Sequence, residues 1–63
     1  MRHIAFRYRD PGDLFAAYGQ LRRDGVKPVQ ILREAERISI LYRDQDGTTV
    51  ELQFDSQIMA LAA

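Results

Sequence analysis

The stretch from Arg37 to Phe54, Arg-Ile-Ser-Ile-Leu-Tyr-Arg-Asp-Gln-Asp-Gly-Thr-Thr-Val-Glu-Leu-Gln-Phe, constrains the fold most. Two runs rich in β-branched and aromatic residues flank Asp44-Gln45-Asp46-Gly47. Asp-Gly between such runs predicts a hairpin, because glycine takes positive φ without steric cost. Successive strand side chains alternate, so Val50, Leu52 and Phe54 share one side and Thr49, Glu51 and Gln53 the other. The apolar side is expected to face a core. The opposite side carries the Glu51 carboxylate among polar neighbours.

The rest of the chain supplies a cover for that core. His3 to Tyr8 predicts a first strand, with Ile4, Phe6 and Tyr8 on one face and His3, Ala5 and Arg7 on the other. Asp10-Pro11-Gly12-Asp13 is a helix start: Asp10 caps free N–H groups, Pro11 suits the first turn, and Asp13 complements the helix dipole. Leu14, Tyr18 and Leu21, together with Phe15, form an apolar stripe at helical spacing, with Ala17 close to it. Gly25 and then Pro28 end the helix, which is expected over Pro11 to Asp24. Val29 to Arg33, Ile38 to Arg43 and Thr48 to Asp55 predict three further strands, with Glu34 to Arg37 as a bend. The tail after Asp55 carries Ile58, Met59 and Leu61 and is expected to add one helical turn or to fray.

The order is therefore βαβββ, an α+β class with one helix on one face of a four-stranded mixed sheet. Residues 1–63 are expected to form one domain. One amphipathic helix cannot cover both faces, so the face holding His3, Ala5, Glu51 and Gln53 must meet solvent, a ligand or another protein.

Size sharpens that expectation. A chain of 63 residues buries only about 60% of its unfolded surface and is marginally stable alone. It has no cysteine, so a metal or a partner chain is the expected staple. Nine basic residues balance nine acidic ones, which argues against a nucleic-acid binder. Eight of the nine basic residues are arginine and are expected to form a solvated face. No apolar run reaches the ~20 residues of a membrane span, and no secretory signal is visible, so a cytoplasmic location is the default expectation. With one histidine and no cysteine, no nucleophile–base pair can be named.

Four segments carry a resemblance: His-Ile-Ala-Phe at 3–6, Asp-Leu-Phe-Ala-Ala-Tyr-Gly-Gln-Leu-Arg at 13–22, Asp-Gly-Val-Lys-Pro-Val at 24–29, and Tyr-Arg-Asp-Gln-Asp-Gly-Thr-Thr-Val-Glu-Leu-Gln at 42–53. In this order and spacing they resemble one module of the vicinal oxygen chelate superfamily, which includes glyoxalase I, extradiol dioxygenases and bleomycin-resistance proteins. The likeness is greatest to the metal-binding module of dioxygenases of the biphenyl-diol type. It implies a βαβββ module that works in pairs, two modules wrapping an open cup around a divalent metal (Fe, Mn, Ni or Zn). It further implies one ligand from the first strand and a glutamate from the last, at His3 and Glu51, and a catalytic role for Glu51. Imidazole and carboxylate suit those ions.

The sequence departs from the family pattern in places. The usual Asp-Pro-Asp-Gly turn is Asp44-Gln45-Asp46-Gly47, and Glu34-Ala35 stands where the dioxygenase branch commonly has His-Gly. Tyr42 and Gln53 are the candidates for substrate contact, although Tyr42, like Tyr18, is expected chiefly to pack. A single module implies a homodimer, paired about a two-fold axis through the uncovered face and a strand edge. Two copies would offer two histidines and two glutamates, a glyoxalase-like set, whereas the local sequence leans to the dioxygenases. The alternatives are a metal-free module that binds a small ligand, and an assembly module with a vestigial site.

Overall fold

The computed structural model describes residues 2–56. Its elements are β1 (His3–Arg7), α1 (Pro11–Arg23), β2 (Gln30–Arg33), β3 (Arg37–Arg43) and β4 (Thr49–Asp55). The expected βαβββ order is present, with element ends within a residue of those expected. The tail with Ile58, Met59 and Leu61 lies outside the described residues.

Both helix ends are closed as the sequence indicates. The Asp10 side chain accepts a hydrogen bond from the Gly12 N–H at 2.7 Å, satisfying a donor that the first turn leaves free. At the other end Gly25 takes φ 82°. The N–H of Val26 donates to the Leu21 carbonyl and that of Gly25 to the Arg22 carbonyl, the paired bonds of a Schellman cap.

The hairpin is closed by Asp44 and Gly47. The Asp44 carboxylate accepts from the N–H groups of Asp46 and Thr48 at 2.9 and 2.8 Å, and Gly47 takes φ 81°. This turn fixes the β3–β4 register, with Tyr42 opposite Val50 and Ile40 opposite Leu52. The sheet order is β1-β4-β3-β2. β1 runs parallel to β4, and the other neighbours are antiparallel.

Register and alternation together sort the side chains. On the helix side Leu14 packs with Ile40, Tyr42 and Leu52, all buried, and Tyr8, Ala17, Tyr18, Leu21, Ile38, Val50 and Phe54 surround them. Two apolar expectations need correction. Phe15 is exposed rather than part of the packed stripe. Ile4 and Phe6 lie on the helix side of β1 yet remain 43% and 52% exposed, because α1 makes its main contact with the sheet at β4.

Candidate functional site

The face away from the helix is a grid that can be read from the register. One row across β3, β4 and β1 holds Arg43, Thr49 and His3. The next, extended onto β2, holds Gln30, Leu41, Glu51 and Ala5. A third holds Leu32, Ser39, Gln53 and Arg7. Rows two apart along a strand present side chains to the same face.

Hydrogen bonds run diagonally through this grid. His3 Nε2 and Glu51 Oε1 are 2.8 Å apart. Glu51 Oε2 accepts from Gln53 Nε2 at 2.9 Å, and Gln53 Oε1 accepts from Arg7 Nε at 3.1 Å. A carboxylate only accepts and a guanidinium only donates. The Gln53 amide must therefore turn its nitrogen to Glu51 and its oxygen to Arg7, and His3 must carry its proton on Nε2. The result is a directed line, Arg7 to Gln53 to Glu51, met by His3 from the other side.

Glu51 is the more sheltered of the pair, its side chain 13% exposed against 56% for His3. Burial pushes its pKa up, but hydrogen bonds from Ser39, His3 and Gln53, and the nearby His3 charge, together outweigh burial and hold it below the ordinary glutamate value. Ser39, itself buried, serves as an unexpected third support for the carboxylate. Its place opposite Gln53 follows from the hairpin register, which the turn sequence encodes.

The expected site residues thus divide. His3, Glu51 and Gln53 come together. Tyr42 does not join them: it lies on the helix side, 5% exposed, with its hydroxyl unpartnered among the described residues. Its alternation with Ile38 and Ile40 already places it in the core. Arg7 was not expected at the site, although it shares strand parity with His3.

The donor chemistry suits a divalent metal, an imidazole nitrogen and an anionic oxygen meeting at one point on an uncovered face. One chain brings together two such donors, His3 and Glu51. Among the described residues no group of three or more His, Cys, Asp or Glu side chains converges. Two hollows among the described residues lie away from the pair, one along 34–37 with Asp55, one at the helix C-terminus between Tyr18, Arg22, Val26 and Lys27.

The chain thus sets one helix on one face of a four-stranded βαβββ sheet and a polar line of His3, Glu51, Gln53 and Arg7 on the other. The chain belongs to the Glyoxalase/Bleomycin resistance protein/Dioxygenase superfamily, which it matches over residues 1–52. It is similar to two curated proteins of Rhodococcus globerulus. It is 41% identical over 56 residues to biphenyl-2,3-diol 1,2-dioxygenase 3 and 36% identical over 56 residues to biphenyl-2,3-diol 1,2-dioxygenase 2. Each match covers 89% of this chain and 30% of the relative, so the chain spans under a third of those enzymes' length. No solved structure gives a significant match. No helix among the described residues is long and apolar enough to cross a membrane.

Proposed function

We propose that this chain is a metal-binding half-module of an extradiol-dioxygenase-like site, completed by a second copy in a homodimer, which chelates vicinal oxygens of a small substrate. The observation that carries it is the 2.8 Å approach of His3 Nε2 to Glu51 Oε1 on the uncovered face, in a chain of the dioxygenase superfamily. His3 and Glu51 would hold a divalent Fe, Mn, Ni or Zn ion, which supplies Lewis acidity toward two substrate oxygens and, as iron, a route for electrons to O₂.

The residues prepare that role. His3 would offer Nε2 to a metal in the tautomer that carries its proton on Nδ1, while Ser39 and Gln53 keep Glu51 ionised and aimed. A carboxylate held this acidic is a good ligand and a weak base. Glu51 would take a proton from a substrate oxygen only after releasing its bond to His3. Gln53 is engaged at both ends and orients Glu51. Two donors per chain require a second module, and a two-fold axis through the site would supply a second His3 and Glu51.

Metal analysis tests this. Zinc-loaded protein should hold one ion per two chains, and His3→Ala and Glu51→Ala should each abolish uptake while leaving the fold intact. Uptake that survives either change would sink the ligand assignment. A metal-free binding module is the second reading, favoured by the fact that His3, Glu51, Gln53 and Arg7 already satisfy one another. It predicts no metal after reconstitution at neutral pH.

A further inference from the structure

The His3–Glu51 pair accounts for one end of the polar line, and Arg7 stands at the other. The Arg7 bond to Gln53 uses Nε alone and leaves both terminal nitrogens of the guanidinium uncommitted by that bond. Those nitrogens form a planar fork that matches a carboxylate. Arg7 is exposed on β1, on the same face as His3 and Glu51. Gln53 separates its charge from Glu51, so the two do not neutralise each other by direct contact.

The space between is shaped for a flat group. Ala5 lies between His3 and Arg7 on β1, opposite Glu51, and contributes only a methyl group. Glu51 and Gln53, two residues apart on β4, set the span from the ligand pair to the Arg7 row at ~7 Å. One benzene ring, with two oxygens at one edge and a carboxylate at the other, bridges that span across Ala5.

We propose that Arg7 is the specificity-determining residue of this site, selecting an acidic catechol whose carboxylate meets the guanidinium while its vicinal oxygens face His3 and Glu51. The inference rests on the metal half-module proposed above. It departs from the biphenyl-2,3-diol named for the relatives, whose second ring carries no charge.

Equilibrium binding to zinc-loaded protein, measured by calorimetry without oxygen, tests it with two probes. One is 3,4-dihydroxybenzoate. The other is 4-methylcatechol, of the same outline without the charge. The acidic probe should bind more tightly to wild type, and Arg7→Leu should cut that preference about 10-fold, the scale of one solvent-accessible charge-assisted contact. Affinity for 4-methylcatechol should fall by less than affinity for the acidic probe, because Arg7→Leu also frees the Gln53 amide that orients Glu51. Arg7→Lys should retain part of the preference, having charge without the fork. Arg7→Gln replaces Arg7→Leu if circular dichroism shows the latter unfolded. An unchanged preference in Arg7→Leu, or an equal loss for both probes, overturns the assignment and leaves the chelating site standing. Failure of wild type to bind either probe overturns the chelating site itself, and this inference with it.

Discussion

His3 Nε2 lies 2.8 Å from Glu51 Oε1 although 48 residues separate them. The parallel pairing of β1 with β4 brings this about, because it sets Ala5 opposite Glu51 and so makes His3 a diagonal neighbour on the same face. Strands distant in sequence thereby assemble a donor pair that neither could present alone.

That contact has a signature in metal-free protein. Burial raises the Glu51 pKa, but hydrogen bonds from Ser39, His3 and Gln53 leave it below the ordinary value of 4.5. A depressed carboxylate pKa stabilises the fold above the unfolded value, and that stability is lost as pH falls through the folded pKa. The stability difference between wild type and Glu51→Gln, from urea titrations after chelation, should hold steady near neutral pH and shrink below pH 4.5. A difference that is flat down to strong acid would show that the bonds do not favour the ionised form.

Tyr42 makes the opposite case. Its hydroxyl is buried without a partner among the described residues, and burial, followed by the neighbouring Tyr18, raises its pKa. An unsatisfied buried polar group destabilises a fold. Tyr42→Phe should therefore raise stability by about 1 kcal/mol in urea and leave metal uptake unchanged, since the ring lies across the sheet from Glu51. Loss of metal or ligand binding would return Tyr42 to the site.

How far the sequence reached can be read from these two residues. The parity of Glu51 and His3 is visible in single strands, and the Asp-Gly turn encodes which β3 residues face them. Tyr42 belongs to the core by the same parity, once Ile38 and Ile40 are assigned inward. What parity does not contain is reach. Nothing in the alternation of Ile4 and Phe6 reveals that α1 sits chiefly over β4 and leaves these side chains about half exposed. Nor does it reveal hydrogen-bond direction, which made Arg7 part of the line only once Gln53 was seen bridging it to Glu51.

Two glycines should respond to alanine with opposite signs. Gly47 takes φ 81°, and a Cβ there would meet no atom within 4 Å, so the cost of Gly47→Ala is backbone strain alone, about 1–2 kcal/mol. Gly19 is interior to α1, and an added Cβ would come no closer than 3.5 Å, to Arg23 Nη1. Gly19→Ala should stabilise by about 0.5–1 kcal/mol, the difference in helix propensity. Thermal melts of the two variants should move in opposite directions, and a shared direction would contradict the turn geometry or the helix packing.

The bare edge makes the last prediction. The Tyr8 N–H donates to the Gln53 carbonyl and the Thr49 N–H to the Arg2 carbonyl, so the even-numbered residues of this strand direct their backbone groups at β4. His3, Ala5 and Arg7 accordingly turn theirs to the open edge, the hydrogen-bonding template a second strand needs. Ile4 and Phe6 stand exposed beside it. If the homodimer forms along this edge, Phe6 becomes covered in the dimer, and burying such a side chain contributes roughly 1.5–3 kcal/mol. Phe6→Ser should then weaken dimerisation at least about 10-fold in sedimentation equilibrium. The separated chain should lose only about 1 kcal/mol of stability, because Phe6 is already 52% exposed there. An unaltered dimer would move the contact off β1 and onto the open sheet face.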